Sequence, residues 1–171
     1  MSEKQRSFRL QVADVHGEVY AGLVTFVVVP GELGELGILY GHAPLISILK
    51  GGELRITPVT GVPEVLFIEG GLVEVQAGLV TVLADNSMRV NDINPQLSQT
   101  RIHEAEKALK DRKNREMDFV SAEMELQREI AKLRAYQRYQ QAQQNGMEQV
   151  YGWQRPPIES GPKINIQALE D

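Results

Sequence analysis

Cysteine is absent from the 171-residue chain, which excludes disulfides, thiolate metal sites and cysteine nucleophiles. No apolar run approaches the roughly 20 residues that a membrane-spanning helix needs. Residues 1–7 lack the apolar segment of a secretory signal. Because 42% of the residues are hydrophobic and 24% are charged, as in ordinary globular proteins, disorder over the whole chain and collagen-like repetition are also excluded.

Charge is distributed unevenly along the chain, whose net charge is −5. Residues 1–95 contain 6 basic and 11 acidic side chains, whereas residues 96–144 contain 10 basic and 8 acidic ones. An acidic chain is poorly suited to binding nucleic acid or anionic lipid. We therefore expect no nucleic-acid partner, and we expect the two regions to differ in structure.

Glycine and proline, which favour turns and disfavour helix interiors, are absent between Gln96 and Asn145. Twelve of the 15 glycines and five of the eight prolines lie in residues 1–95. This distribution predicts a β-sandwich domain over residues 1–90, a helical region over residues 91–144 and a tail over residues 145–171. The predicted fold class is α+β, mainly β.

Short runs with alternating or β-branched residues predict strands throughout the first region. Pro30 and the pair Gly70-Gly71 are expected to end two of these strands. Short strands with turn signals between them are typical of a small sandwich or barrel. The predicted strands are Phe8–Ala13, Val19–Val29, Leu54–Ile56, Val65–Ile68, Val73–Gln76 and Leu79–Ala84.

Two apolar stripes at helical spacing predict two helices in the second region. Asn94-Pro95 is a helix start signal, and the charged stretch Lys110–Glu116 separates the stripes. We predict an antiparallel hairpin, with one continuous helix as the alternative because the break contains neither glycine nor proline. The first stripe consists of Ile102, Ala105, Ala108 and Leu109, and the second of Phe119, Ala122, Leu126, Ile130 and Leu133.

The tail has no clear periodicity and contains the only tryptophan, Trp153, beside Tyr151 and Arg155. A segment of this composition at a chain end is typical of disorder. The alternative is that the aromatic cluster docks on a partner.

Glycines dominate the stretch Gly31–Gly37, which raises the question of phosphate binding. The stretch lacks the lysine and the Ser/Thr of a P-loop, and Glu32 and Glu35 would repel phosphate. We interpret it as a tight loop between strands whose acidic side chains could meet a basic partner.

His42 is the one histidine close to this loop, and catalysis by it would need an orienting carboxylate and a nucleophile or metal. Neither His16 nor His103 has metal-ligand spacing to it. We interpret His42 as a structural histidine that hydrogen-bonds the loop. The sequence predicts no catalytic residue, no metal site and no cofactor.

Three motifs, taken in chain order, resemble the ε subunit of F-type ATP synthases. Its central motif is matched by Gly34-Glu-Leu-Gly-Ile-Leu-Tyr-Gly-His-Ala-Pro-Leu45, and the next two by Gly70–Gln76 and Val80–Asp85. Glu106–Leu109 and Ala131–Arg134 resemble its two C-terminal helices. The resemblance covers about residues 6–140.

The resemblance implies an N-terminal β-sandwich, a C-terminal helical hairpin and no catalysis by this chain. In that family the sandwich binds the γ subunit and rests on the ring of c subunits, so that the central stalk couples ion flow to ATP synthesis. The helices lie on the sandwich or extend along γ toward the α and β subunits, and extension inhibits ATP hydrolysis. It also implies a peripheral protein on the cytoplasmic face of the bacterial plasma membrane, with a plastid-encoded chain as the alternative source.

By the same resemblance, Glu35 matches the acid that faces the c-ring loops, and His42 matches the neighbouring histidine, to which we assign a loop-shaping role. Tyr40 stands where the family usually has proline. An ATP-binding motif of some bacterial members is degenerate here at Ile93, Asn94, Leu97 and Ser98, where its acid, arginine and alanine are replaced. Of the supporting basic residues, Arg128 is present, but Ser121 replaces another arginine. We expect weak or absent ATP binding.

The alternative function is a free-standing β-sandwich binding module with a coiled-coil dimerisation arm, since the stripe through Leu126, Ile130 and Leu133 also suits dimerisation. The ε interpretation instead predicts no homo-oligomer. An enzyme would need His42 in a pocket beside a carboxylate. The sequence leaves open whether the coupling ion is a proton or sodium, and whether the resting helices are folded or extended.

Overall fold

The computed structural model describes residues 6–110 and 116–151. Seven strands precede the helices: β1 (Phe8–Asp14), β2 (Gly17–Gly31), β3 (Gly34–Leu39), β4 (Leu45–Pro58), β5 (Glu64–Gln76), β6 (Leu79–Ala84) and β7 (Ser87–Arg89). A 3₁₀ turn (Val90–Asp92) leads into α1 (Pro95–Lys110), which is followed by α2 (Glu116–Asn145) and α3 (Met147–Tyr151). The predicted class, a β-sandwich followed by two helices, is confirmed.

The sheet closes on itself because β1 pairs with two strands. The hydrogen-bonded order is β1-β6-β5-β4-β2-β3, β1 also pairs with β2, and β7 pairs with β5. The β1–β6 pairing is parallel, and every other pairing is antiparallel. Alternate residues point inward to a core that includes Leu10, Val12, Val27, Ile38, Leu54, Ile56, Leu66 and Ile68.

Two predicted strand ends are wrong, and each has a local explanation. Pro30 lies inside β2, at a point where the pairing register with β4 shifts between Val28 and Gly31. Proline has no backbone N–H to donate, and such an irregularity of the strand pairing is where a strand tolerates it. Gly70 and Gly71 lie inside β5 with φ of 135° and 132°, so they bend one long strand instead of separating two.

The two helices belong to a folded hairpin, as predicted. Arg101 of α1 lies 3.4 Å from Glu129 of α2, although 28 residues separate them in sequence. In one continuous helix these residues would stand about 42 Å apart, at 1.5 Å per residue. Residues 111–115, which include most of the predicted polar break, lie outside the described residues.

The chain divides into two compact units, residues 1–139 and residues 140–171. The second unit contains the last residues of α2 and the short helix α3. The rest of the predicted tail, with Trp153 and Arg155, lies outside the described residues. Within residues 6–110 and 116–151, no helix is long and apolar enough to cross a membrane.

Gly71 gives a direct test of the bend in β5. A Cβ atom at this position would overlap the carbonyl oxygen of Leu83 and lie 2.8 Å from the Cα of Ala84. We expect Gly71→Ala to lower the free energy of unfolding in urea by at least about 3 kcal/mol, because neither the backbone conformation nor the space accepts a side chain.

Gly78→Ala is the matched control, because Gly78 also has a positive φ, of 78°, but a Cβ atom added there would have open space around it. It should cost only about 1 kcal/mol from backbone strain. Equal losses in the two variants would show that the close approach at Gly71 does not limit the fold.

Candidate functional site

A groove opens where the β2–β3 hairpin meets the start of β4. The predicted tight loop over residues 31–37 is too long: the hairpin turns at Glu32 and Leu33 alone, because Gly31 ends β2 and Gly34–Gly37 pair with β2 as part of β3. The Leu33 side chain is fully exposed. The groove has a volume of about 410 Å³ and is lined by residues 31–36 and 45–47. Exposed Ile46 adds a second apolar side chain, so the groove combines apolar surface with carboxylates.

Glu35 lies on β3 beside this turn and forms a bidentate pair with Arg55 of β4. Both Arg55 terminal nitrogens lie 2.7 Å from the Glu35 carboxylate oxygens. Hydrogen bonding to Arg55 lowers the pKa of Glu35, against the opposing effect of partial burial, and the charges of Arg138 and Lys50 lower it further. Glu35 is therefore ionised at neutral pH, and its position is fixed although 53% of its side chain is exposed.

His42 follows the turn that ends β3 and makes only local hydrogen bonds among those seen in the described residues. Its backbone N–H donates to the Leu39 carbonyl at 3.1 Å, and its Nδ1 donates to the Ala43 carbonyl at 2.8 Å. Glu35 and His42 thus belong to opposite ends of β3. In residues 6–110 and 116–151, no group of acidic or histidine side chains is placed to hold a metal ion.

A second ionic cluster joins the helices to β5. Lys132 of α2 lies 2.6 Å from Glu69 of β5 and 3.1 Å from Glu129, one turn earlier on α2. Glu129 is 1% exposed and Lys132 is 6% exposed, so both charges are removed from water. Arg101 of α1 and Arg128 of α2 extend the cluster, at 3.4 Å from Glu129 and 3.6 Å from Glu69.

Comparison with known proteins identifies the family of the chain. Residues 7–90 match the family described as ATP synthase, Delta/Epsilon chain, beta-sandwich domain. An ATP synthase epsilon chain of Nitrosococcus oceani is 38% identical over 132 residues, covering 77% of this chain and 94% of the relative. One from Acidithiobacillus ferridurans is 42% identical over 130 residues, covering 75% and 90%. The chain belongs to the ATP synthase epsilon chain family.

The solved structures that resemble this epsilon chain share its fold at low sequence identity. A chain of the Euglena gracilis mitochondrial ATP synthase, solved with OSCP, F1 and the c-ring, has a TM-score of 0.68 at 19% identity and covers 74% of this chain and 79% of that one. A chain of the Tetrahymena thermophila central stalk and c-ring has a TM-score of 0.56 at 14% identity and covers 79% and 99%.

The four residues of the degenerate ATP motif have structural contacts in this epsilon chain. Asn94 accepts a hydrogen bond from the Leu97 backbone N–H at 3.0 Å and so caps α1. Ile93 and Ser98 are buried, and the Ser98 hydroxyl hydrogen-bonds the Glu129 carboxylate. Leu97 is half exposed and carries no polar group. Weak or absent ATP binding stays a prediction.

Sequence reasoning missed Glu129 and Lys132 as contact residues, because charged residues on helices normally face water. Of the stripe that it predicted on α2, Phe119 is exposed and Ala122, Leu126, Ile130 and Leu133 are half-buried, whereas the fully buried residues of this part of the helix are Glu129, Lys132 and Ala135. These residues are three apart in sequence and therefore lie on one face of the helix. The two opposite charges on that face were the sequence signal that could have indicated a buried ion pair.

Three glutamates make the stability of the fold depend on pH. Burial raises the pKa values of Glu69 and Glu129, but hydrogen bonds from Lys132, and from Ser98 to Glu129, outweigh it, so both pKa values lie below the usual 4.5. The pKa of Glu35 is also lowered. Since ionised carboxylates are favoured in the folded state, their stabilisation is complete above about pH 4.5 and is lost as pH falls through the lowered values.

We therefore expect the free energy of unfolding in urea to fall steeply below about pH 4.5, and Glu129→Gln to reduce that dependence by removing one proton-linked group. Glu104→Gln is the control, because Glu104 is exposed on α1. A pH dependence that is the same in Glu129→Gln and in the unchanged protein would contradict the assignment.

Proposed function

We propose that this chain is a non-catalytic subunit of an F-type ATP synthase that joins the γ subunit to the c-ring in the rotating central stalk, for ATP synthesis driven by an ion gradient. Membership of the epsilon family supports this role. The observation that carries it is the groove at the β2–β3 turn, where an exposed leucine and a fixed, ionised glutamate lie side by side.

The groove suits contact with the c-ring because it can bind a loop that contains both a basic and an apolar side chain. Glu35 offers an ionised carboxylate, and Leu33 and Ile46 offer apolar surface. We assign Glu35 to the contact itself. We assign His42 to shaping the loop after β3, in keeping with its hydrogen bonds to Leu39 and Ala43.

A row of exposed apolar side chains on the sheet forms a second surface, which we assign to contact with the γ subunit. Ile48, Leu72 and Leu83 are direct cross-strand neighbours on β4, β5 and β6, and all three are exposed. Adjacent apolar side chains on the outer face of a sheet mark a protein interaction surface more often than scattered ones do. Two distinct surfaces are what a subunit needs to join γ to the c-ring.

The helical arm, defined as α1 with α2 up to Tyr139, is proposed to regulate ATP hydrolysis by leaving the sandwich and extending toward the α and β subunits. Its fully buried residues include Glu129 and Lys132, and Lys132 pairs with Glu69 of β5. Charged groups regain hydration when they separate, which offsets part of the cost of release. We assign residues 1–90 to the stalk domain, 91–144 to the arm and 145–171 to a tail.

The protein is proposed to lie at the membrane through the complex, as a peripheral subunit on the cytoplasmic face of the bacterial plasma membrane. It is proposed to act without a cofactor, without metal, without nucleic acid and without forming a homo-oligomer.

The role predicts a tight one-to-one complex with a γ subunit from a bacterial F-type enzyme, measured by calorimetry and light scattering. Leu72→Asp should weaken it at least about tenfold, because a charge would be buried in the centre of the contact. Val62→Asp is the control, since Val62 is exposed in the loop between β4 and β5. No complex, together with a stable homodimer of the free chain, would favour the dimeric binding module instead.

The regulatory part predicts that an enzyme assembled with a chain ending at Ile93 hydrolyses ATP severalfold faster than one with the full chain, because the arm is missing. A second shortened chain, ending at Asn145, keeps the arm but lacks the tail, so it distinguishes the effect of the arm on the hydrolysis rate from that of the tail. If both shortened chains give the rate of the full chain, with equal incorporation into the complex, the arm does not inhibit.

A further inference from the structure

Four alternating charges connect the groove to the arm. Arg55 of β4 lies between two carboxylates, at 2.7 Å from Glu35 and 3.4 Å from Glu53. Arg138, near the end of the arm, lies 3.3 Å from Glu53 and 4.0 Å from Glu35. The Glu35 carboxylate is therefore within ion-pair distance of both a strand residue and a helix residue.

Arg55 and Arg138 have different roles in this cluster. Arg55 is 5% exposed and binds Glu35 through two parallel hydrogen bonds, so it is a fixed part of the sandwich. Arg138 is partly exposed and approaches Glu35 only at the edge of ion-pair distance. Of the two arginines, Arg138 is the one that can leave without breaking the sandwich.

The charge of the cluster depends on whether the arm is docked. With Arg138 in place the four side chains sum to zero, and with the arm removed Glu35, Glu53 and Arg55 sum to −1. A basic side chain that approaches the exposed part of Glu35 therefore meets one more positive charge in the first state than in the second. It also repels Arg138, since like charges at such distances destabilise each other.

We infer that Arg138 of the docked arm and a basic side chain of the rotor are alternative cations for Glu35 and Glu53, so that rotor contact at the β2–β3 turn weakens docking of the arm. This inference rests on the proposed contact of Glu35 with the c-ring. Coupling of two binding events is reciprocal, so a docked arm weakens the rotor contact by the same factor.

Release starts at the Arg138 end of the arm because the other attachment is more deeply buried. Lys132, six residues earlier on α2, pairs with Glu69 and Glu129 away from water, whereas Arg138 is partly exposed. An exposed pair is weaker and more sensitive to salt than a buried one. The cluster at Lys132 therefore keeps the hairpin on β5 while Arg138, farther along α2, is replaced by the basic side chain of the rotor.

The test measures binding of the full chain to a purified γ–c-ring subcomplex of a bacterial F-type ATP synthase. We expect Arg138→Gln to raise the affinity about two- to fivefold, the range of an exposed ion pair, and to do so less at high salt. In a Glu35→Gln background the same substitution should raise the affinity less, because one of the two shared carboxylates, the one assigned to the rotor contact, is neutral. Arg134→Gln is the matched control, since it removes the same charge from an exposed position one turn earlier.

Hydrogen exchange of the free chain gives a readout that needs no rotor. Amides of residues 133–139 should exchange faster in Arg138→Gln than in Arg134→Gln, and faster in the unchanged chain once the subcomplex is bound. Unchanged exchange, or an equal affinity gain with and without Glu35, would overturn the inference. Failure of the unchanged chain to bind the subcomplex would overturn the proposed function itself.

Discussion

A charged side chain that leaves water must be paired, and this constraint determines how the parts of the chain are joined. Arg55, Glu129 and Lys132 are almost fully buried, and each contacts an opposite charge from another element or the next turn of its helix. An unpaired charge at such a position would cost several kcal/mol. The β2–β3 turn, the sheet and the two helices are therefore positioned relative to one another by charge as well as by apolar packing.

The sandwich and the arm depend on different interactions. The sandwich is closed by backbone pairing of β1 with both β2 and β6 around an aliphatic core, so no part of it can leave without exposing apolar surface. The contact of α2 with β5 instead includes the ion pairs of Lys132 and Arg128 with Glu69. Replacing such pairs by water contacts costs little net free energy, since the desolvation penalty is recovered when they separate. The sandwich thus depends on backbone pairing around an aliphatic core, whereas the contact of α2 with β5 includes buried ion pairs.

The sequence was sufficient for the features that follow from local rules. Alternation and β-branched runs predicted the strands, and the absence of glycine and proline between Gln96 and Asn145 predicted the helices. Pro30 and Gly70 misled because turn signals can also mark irregularities within long strands, and only the partner strand distinguishes the two cases. No local rule predicts that Arg55 is buried, because its burial comes from pairing with Glu35, 20 residues away.

The pairing register explains why Glu35 can serve two elements. Glu35 pairs with Pro30 on one side of β2, and Arg55 pairs with Val28 on the other, so the two side chains reach across β2 toward each other. Glu53 lies two residues before Arg55 on the same face of β4, opposite the core residues Leu54 and Ile56, which brings the second carboxylate within reach of Arg138. A shift of β4 by one residue would turn Arg55 and Glu53 to the opposite face and disconnect the turn from the helix. Communication between the groove and the arm, as we propose it, is therefore a property of strand register and not of the turn alone.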